Sequence, residues 1–333
     1  MKAFILDAYK KNGALRLADM PDPQMSANDV LVRIHATGLN PLDAKIRDGV
    51  FKLFLPYRPP FILGHDLAGT VVGVGDSVRR FKVGDEVYAR PRDHRIGTFA
   101  EMIAVDAADL ALKPKTLSMT QAASIPLVGL TAWQALVEVG QLKPGQKVFI
   151  QAGSGGVGSF AIQLAKHLGA TVATTTSAAN TELVKSLGAD VVIDYRTQDF
   201  EQLLSGYDLV LNSQDDKTLA KSLTVLKPGG KLISISGPPD VAFAKSLRLN
   251  LFLRFVMWML SRGLLKKARR RGIDYSFLFM RADGQQLGEI TRLIEAGVIR
   301  PVIDGVFPFA QMAEALVRVE GGRARGKVVV SVP

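Results

Sequence analysis

The stretch 147–169, KVFIQAGSGGVGSFAIQLAKHLG, constrains this chain more than any other, because a strand, a glycine turn and a helix follow one another without a gap. Val148, Phe149 and Ile150 form a short apolar run of the kind buried on both faces of a parallel sheet. Gly153, Gly155 and Gly158 then supply G-x-G-x-x-G. The first glycine permits the tight turn, the second lets backbone approach a pyrophosphate, and the third lets the helix pack closely on the strand. Val157, Phe160, Ala161, Leu164, Ala165 and Leu168 recur at helical spacing, and Gly169 closes the helix as a C-terminal cap. A helix starting on such a loop aims its free N–H groups at a phosphate. Gly153, Ser154, Gly155, Gly156, Val157 and Gly158 are therefore candidate cofactor-binding residues.

A G-x-G-x-x-G run is common on its own, so its context decides. Strands are expected at 171–176, 191–195, 209–213 and 231–236, with a helix over 181–187 closed by Gly188. Strand and helix alternate as in a doubly wound parallel sheet, an α/β fold. A site for NAD usually carries Asp or Glu about 20 residues beyond the glycines, on the ribose 2′-hydroxyl. Thr174, Thr175, Thr176 and Ser177 stand there instead. With no carboxylate to repel a 2′-phosphate and several hydroxyls to donate to it, NADPH is the expected cofactor, and Arg196 adds charge. The other reading of the Thr run is a β-prone strand end.

At 333 residues the chain suits two domains, and 47% apolar against 22% charged residues leaves no case for disorder. There is no cysteine, which removes disulfides and thiolate chemistry and fits a cytoplasmic setting. The opening MKAFILDAYKKNG reads as a first strand rather than a signal peptide, and no run of about 20 apolar residues spans a membrane. Residues 1–124 read as a compact β-rich domain, with strands at 30–34, 67–74, 83–88 and 97–105; a helix over 126–139 leads to the nucleotide strand. Beyond 282 the expectation is a helix over 285–296, short strands at 300–303 and 306–309, a helix over 310–318 and a last strand over 327–332.

Six stretches carry a family resemblance in the right order along nearly the whole chain: Gly38-Leu39-Asn40-Pro41-Leu42-Asp43, Gly64-His65-Asp66-Leu67-Ala68-Gly69, Gly84-Asp85-Glu86-Val87, Gly129-Leu130-Thr131-Ala132-Trp133, the 152–158 loop, and Gly326-Lys327-Val328-Val329-Val330. Together they resemble medium-chain dehydrogenases/reductases, and more narrowly their zinc-free quinone oxidoreductase branch. The resemblance implies a GroES-like catalytic domain over 1–124 and 283–333, interrupted by a Rossmann NADP-binding domain over 125–282. It also implies hydride transfer to quinones or α,β-unsaturated carbonyls, with a homodimer as the expected assembly.

Zinc-bearing relatives hold their metal with Cys, His and a further Cys or carboxylate. Here Leu39 stands near the first thiolate's place, and His65 reads as a packed or hydrogen-bonded histidine rather than a ligand, so no metal residue is assigned. Without a Lewis acid an unactivated alcohol is hard to oxidise, whereas an electron-poor acceptor needs mainly orientation and a dry pocket. By its match to G-x-N-P-x-D, Asn40 is the first candidate for the substrate and nicotinamide region; Asn40, Pro41 and Asp43 equally have N-cap, N1 and N3 spacing. Asp43 reads as a structural first-turn acid. Thr131 resembles a position beside the nicotinamide, against the reading of a buried helix threonine. Tyr195 and Ser177 resemble positions near the adenosine phosphate, although Thr181 stands about where the family often carries a Lys. Tyr57, in Pro56-Tyr57-Arg58-Pro59-Pro60, either lines a substrate cleft or packs. Asn40, Tyr57 and Thr131 are thus the candidate catalytic residues, with Asn40, Thr131, Thr175, Ser177, Tyr195 and Arg196 joining the glycine loop on the cofactor.

Net charge is +11, with basic residues concentrated at Arg262, Lys266, Lys267, Arg269, Arg270 and Arg271. They close an apolar segment, 247–271, that no solvated loop would carry. Three readings stand: a helix over the cleft or at a subunit contact, a membrane-surface anchor, and a polyanion site. The last two define the alternative function, a nucleotide-fold protein that binds anionic membrane or RNA through 262–271. No nucleic-acid motif accompanies the charges, so no specific nucleic acid is expected.

Overall fold

In the computed structural model residues 1–53, 55–246 and 250–333 are described, and they form two compact units. One comprises Met1–Leu130 with Arg281–Pro333, the other Thr131–Met280. The helix Pro126–Trp133 begins in the first unit and ends in the second. It continues as a π-helical stretch, Gln134–Val139.

The second unit is a Rossmann-type α/β domain. Its six strands are all parallel, in the order Val191–Asp194, Thr171–Thr176, Lys147–Ile150, Tyr207–Asn212, Leu226–Ser234, Asp274–Phe277. Strand interiors such as Val148, Phe149, Ile150, Val210 and Leu232 are wholly buried, as strands covered on both faces must be. Lys147–Ile150 lies between the second and fourth strands in chain order, so the direction of winding reverses beside it. Open α/β sheets bind ligands at the carboxyl ends of the strands beside such a reversal. One turn of helix, Phe200–Leu203, was not anticipated from the sequence; Phe200 supplies a ring 4.9 Å from that of Phe149.

The first unit is GroES-like and largely antiparallel. Its main sheet runs Ile303–Pro308, Lys327–Ser331, Asp29–Leu39, Leu67–Val74, Glu86–Ala89, Leu110–Leu112, and Met102–Asp106 also pairs with Asp29–Leu39. The expected strand over 97–105 is therefore shorter. Phe99 is buried, and its N–H bonds Leu63 O outside the ladder. Instead of two strands at 300–303 and 306–309 there is one, because Pro301 has no N–H to donate and a bulge at Gly305 lets pairing run on. The pairing Val328↔Leu39 brings the end of the chain against its first long strand.

Asp29, at the head of that strand, accepts Arg95 Nη1 and Nη2 at 2.8 Å each and Ser26 N–H at 2.8 Å. The Arg95 hydrogen bond holds its carboxyl down to about 2. Since the folded value lies below the ordinary one, the stabilisation is full at neutral pH and is lost as pH falls from about 4 through about 2. Asp29→Asn is expected to cost about 1–2 kcal/mol at pH 7, allowing for solvent on the partly exposed Arg95, and to flatten the acid limb of urea midpoints measured against pH.

Candidate functional site

In the Rossmann unit the glycine loop follows the strand Lys147–Ile150 at the reversal point, and the helix Gly156–His167 starts within it. Steric demands explain Gly153 and Gly158. A Cβ on Gly158 would lie 2.2 Å from Ala152 O, and one on Gly153 2.2 Å from Thr174 Oγ1. One on Gly155 meets nothing closer than Ala152 O at 3.3 Å, so the space over it is open. Ala152 itself takes φ +52°, a rare left-handed setting for a residue with a side chain. The loop is thus shaped to bring backbone to a ligand, and Ser154, Gly155, Gly156 and Val157 remain partly exposed at the helix start.

Neighbouring strand ends hold this loop. Thr174 Oγ1 donates to Ile150 O at 2.6 Å, Ala152 N–H donates to Thr175 Oγ1 at 3.2 Å, and Thr176 Oγ1 donates to Ser154 Oγ at 3.0 Å. The threonine hydroxyls, read from the sequence as donors to phosphate, are therefore mostly fasteners of the loop. Thr175 alone among them keeps its hydroxyl proton unassigned, and it is buried. The polar atoms facing outward come from the next residues. Asn180 Nδ2 reaches Ser154 Oγ at 3.2 Å and Ser177 Oγ at 3.4 Å, while its Oδ1 is buried without a partner. Tyr195 N–H joins Thr176 O at 3.2 Å, and the Arg196 guanidinium lies 5.9 Å from the exposed Tyr195 ring. Ser154, Ser177, Asn180, Tyr195 and Arg196 so gather at the ends of three strands. Asn180 escaped the sequence reading because an Asn before a helix looks like a turn residue.

A second set of side chains locks the strand ends from below. Gln151 Nε2 donates to Ser222 Oγ at 2.7 Å, Asn212 Nδ2 to Gln151 Oε1 at 2.6 Å, and Ser234 Oγ to Asn212 Oδ1 at 2.6 Å. A satisfied buried network of this sort rigidifies what it joins.

The GroES-like unit holds a buried ionic cluster. Lys327 Nζ donates to Asp66 Oδ2 at 2.9 Å, Leu39 O at 3.0 Å and Asn40 Oδ1 at 2.5 Å. Asp66 also accepts Asn40 Nδ2 at 3.0 Å and, on its other oxygen, Leu127 N–H at 2.7 Å. Asp43 accepts Asn40 N–H at 2.8 Å, which begins the helix Pro41–Arg47, and its second oxygen lies 2.6 Å from His65 Nδ1. Asn40 is 1% exposed with both amide atoms engaged, so it is a corner of this cluster as well as the N-cap residue. Thr131 is buried in the helix Pro126–Trp133. Tyr57 packs: its ring stacks on Phe61 at 5.1 Å, its oxygen accepts His94 N–H at 3.3 Å, and burial pushes its hydroxyl up to about 12.

Residues 26–115 match the alcohol dehydrogenase GroES-like domain family, and residues 187–330 the zinc-binding dehydrogenase family. Over its whole length the chain is 37% identical to 91% of the mitochondrial NAD(P)H oxidoreductase RTN4IP1 of Danio rerio. It is 36% identical to the chloroplastic NADPH-dependent alkenal/one oxidoreductase of Arabidopsis thaliana, over 99% of this chain and 79% of that one. The solved quinone oxidoreductase from Coxiella burnetii superposes with a TM-score of 0.87 at 30% identity, covering 100% of this chain and 99% of that one.

Zinc, which one family description implies, does not fit the residues present. The chain has no cysteine, both Asp66 oxygens are engaged, and His65, held by Asp43 through Nδ1 with its buried Nε2 unpartnered, would be a lone ligand. Among the described residues no three His, Cys, Asp or Glu side chains are grouped to hold a metal. A dinucleotide does fit the open space over Gly155 and the unpartnered Asn180 Oδ1. The chain belongs to the medium-chain dehydrogenase/reductase superfamily, in the quinone oxidoreductase branch of the NAD(P)H oxidoreductases.

Proposed function

We propose that the protein is an NADPH-preferring reductase of quinones or α,β-unsaturated carbonyls. When bound, the cofactor supplies the hydride. The chain's own residues hold and orient it: backbone N–H groups at the start of Gly156–His167 receive the pyrophosphate over Gly155, and the satisfied Gln151–Asn212–Ser234 network keeps those strand ends still. Thr131 is the proposed nicotinamide contact of the Rossmann unit. An electron-poor acceptor suits a chain whose residues do not fit zinc, because such an acceptor accepts hydride without metal activation of its oxygen. The acceptor classes are also those named for the Coxiella and Arabidopsis relatives.

The observation that carries the preference for NADPH is the polar cluster at the end of Thr171–Thr176. Residues 174–177 carry no carboxylate, and the Ser177 hydroxyl and Arg196 guanidinium are donors suited to a 2′-phosphate, beside the Asp194 carboxylate that accepts Arg196 N–H at 3.1 Å on the adjoining strand. Steady-state kcat/KM with NADPH and NADH, each on a simple quinone and on an enone, tests the reading. Arg196→Ala is expected to lower kcat/KM for NADPH about tenfold and to leave NADH unchanged. Preference for NADH, or equal loss with both cofactors, would overturn the assignment of phosphate; nucleotide binding with no turnover on either acceptor would favour a binding protein instead.

A further inference from the structure

The residues between Asp240 and Asp274 include no acid, and most of them form the helix Leu251–Arg270. Residues 247–249, with which the sequence-defined segment opens, lie outside the described residues. The helix has one inward stripe: Met257, Ser261 and Ala268 are buried, and Leu264 and Leu265 pack partly against the core of the Rossmann unit. At 100° per residue these positions share one side.

The opposite side changes character along its length. Over the first two and a half turns it bears Leu251 at 80% exposure, Phe252 at 72%, Phe255 at 55% and Met259 at 52%, with Trp258 beside them. Over the second half the same side bears Arg262, Lys266, Arg269 and Arg270, all exposed. Trp258 sits at the changeover. Its ring stacks on Phe255 at 5.7 Å and lies under the Arg262 guanidinium at 5.6 Å.

We propose that this outward face docks on a lipid bilayer containing anionic phospholipid. An apolar half followed by a basic half, with an aromatic between them, matches the acyl boundary, the interface and the phosphate layer in turn. The helix is about 30 Å long, of which the apolar half is about 15 Å, enough to lie in the interface. Among the described residues no helix is long and apolar enough to cross a membrane, which fits a surface position for this one. Charge complementarity selects the bilayer over a second copy of the chain. A copy's helix would cover the apolar half but offers no acidic residue to the basic half. A nucleic acid would pair with the basic half but leave Phe252, Phe255 and Met259 in water.

The full-length protein is mixed with phosphatidylcholine vesicles, with and without phosphatidylglycerol, at low and high salt, and bound protein is separated by flotation. Wild type is expected to bind the anionic vesicles and to leave them as salt rises. Lys266→Glu/Arg269→Glu/Arg270→Glu is expected to weaken partitioning about 10²-fold, and Phe252→Ser/Phe255→Ser/Met259→Ser at least about tenfold. NADPH binding and circular dichroism unchanged from wild type would show both variants folded. The proposal fails if wild type ignores anionic vesicles, whether or not it binds RNA. It also fails if the serine variant floats like wild type, or if that variant merely turns a dimer into a monomer in sedimentation.

Discussion

Lys327→Met is expected to destabilise the protein by about 3 kcal/mol, the largest loss from any single polar side chain of the GroES-like unit. The ammonium is 5% exposed and has three acceptors, one of them the fully buried Asp66 carboxylate. Methionine restores most of the volume but leaves Asp66 with only the neutral donors Asn40 Nδ2 and Leu127 N–H. Breaking one side of a buried pair strands the other charge, which costs far more than the pair contributes when intact. The remaining two donors place the expected value at the lower end of the usual range. Asp66→Asn should also destabilise, and the double variant Lys327→Met/Asp66→Asn should cost less than the two single losses added together. Urea unfolding of the four proteins measures this directly. A Lys327→Met variant within about 0.5 kcal/mol of wild type would mean that water or a moving side chain relieves Asp66.

That pair marks where the sequence ceased to be readable. Lys327 and Asp66 stand 261 positions apart, and two antiparallel pairings, Lys327–Ser331 with Asp29–Leu39 and Asp29–Leu39 with Leu67–Val74, bring them together. Alternation along the last strand is nearly uniform Val, so it carries no sign that its first residue faces a carboxylate. Asn40 was legible as a helix N-cap because that role depends on neighbours within three residues. Its second role, toward Lys327, depends on the first of those distant pairings. The Rossmann unit was easier. Its strand Thr171–Thr176 and the helix after the glycine loop fall where period and caps predict, since each signal is local. The threonine run shows the limit of that locality: composition told which residues carry hydroxyls, but the direction of each depended on which carbonyl or serine the adjoining strand presented. The basic residues of the helix Leu251–Arg270 carry it on along the surface, because arginine and lysine are good helix formers when their charges reach water.

Gly158→Ala and Gly155→Ala should separate the two things the glycine loop does. At Gly158 the added methyl would meet Ala152 O at 2.2 Å and Gly153 Cα at 2.7 Å, both backbone atoms that cannot rotate away. The helix Gly156–His167 would have to shift off its strand, so this variant is expected to lose about 1–3 kcal/mol of stability. Cofactor affinity should fall with it by about 10²-fold, since a displacement near 1 Å misaligns the N–H groups at the helix start. At Gly155 the same methyl finds 3.3 Å to its nearest neighbour and a backbone at φ −80°, which alanine adopts freely. Stability there should therefore remain within about 0.5 kcal/mol of wild type. The methyl nevertheless occupies the space through which backbone approaches a pyrophosphate, so NADPH affinity should still drop at least about tenfold. Fluorescence titration of NADPH beside thermal unfolding reads both quantities on each variant. If Gly155→Ala binds the cofactor as wild type does, the pyrophosphate does not lie on this loop, because no protein atom stands between that methyl and the space assigned to the phosphate.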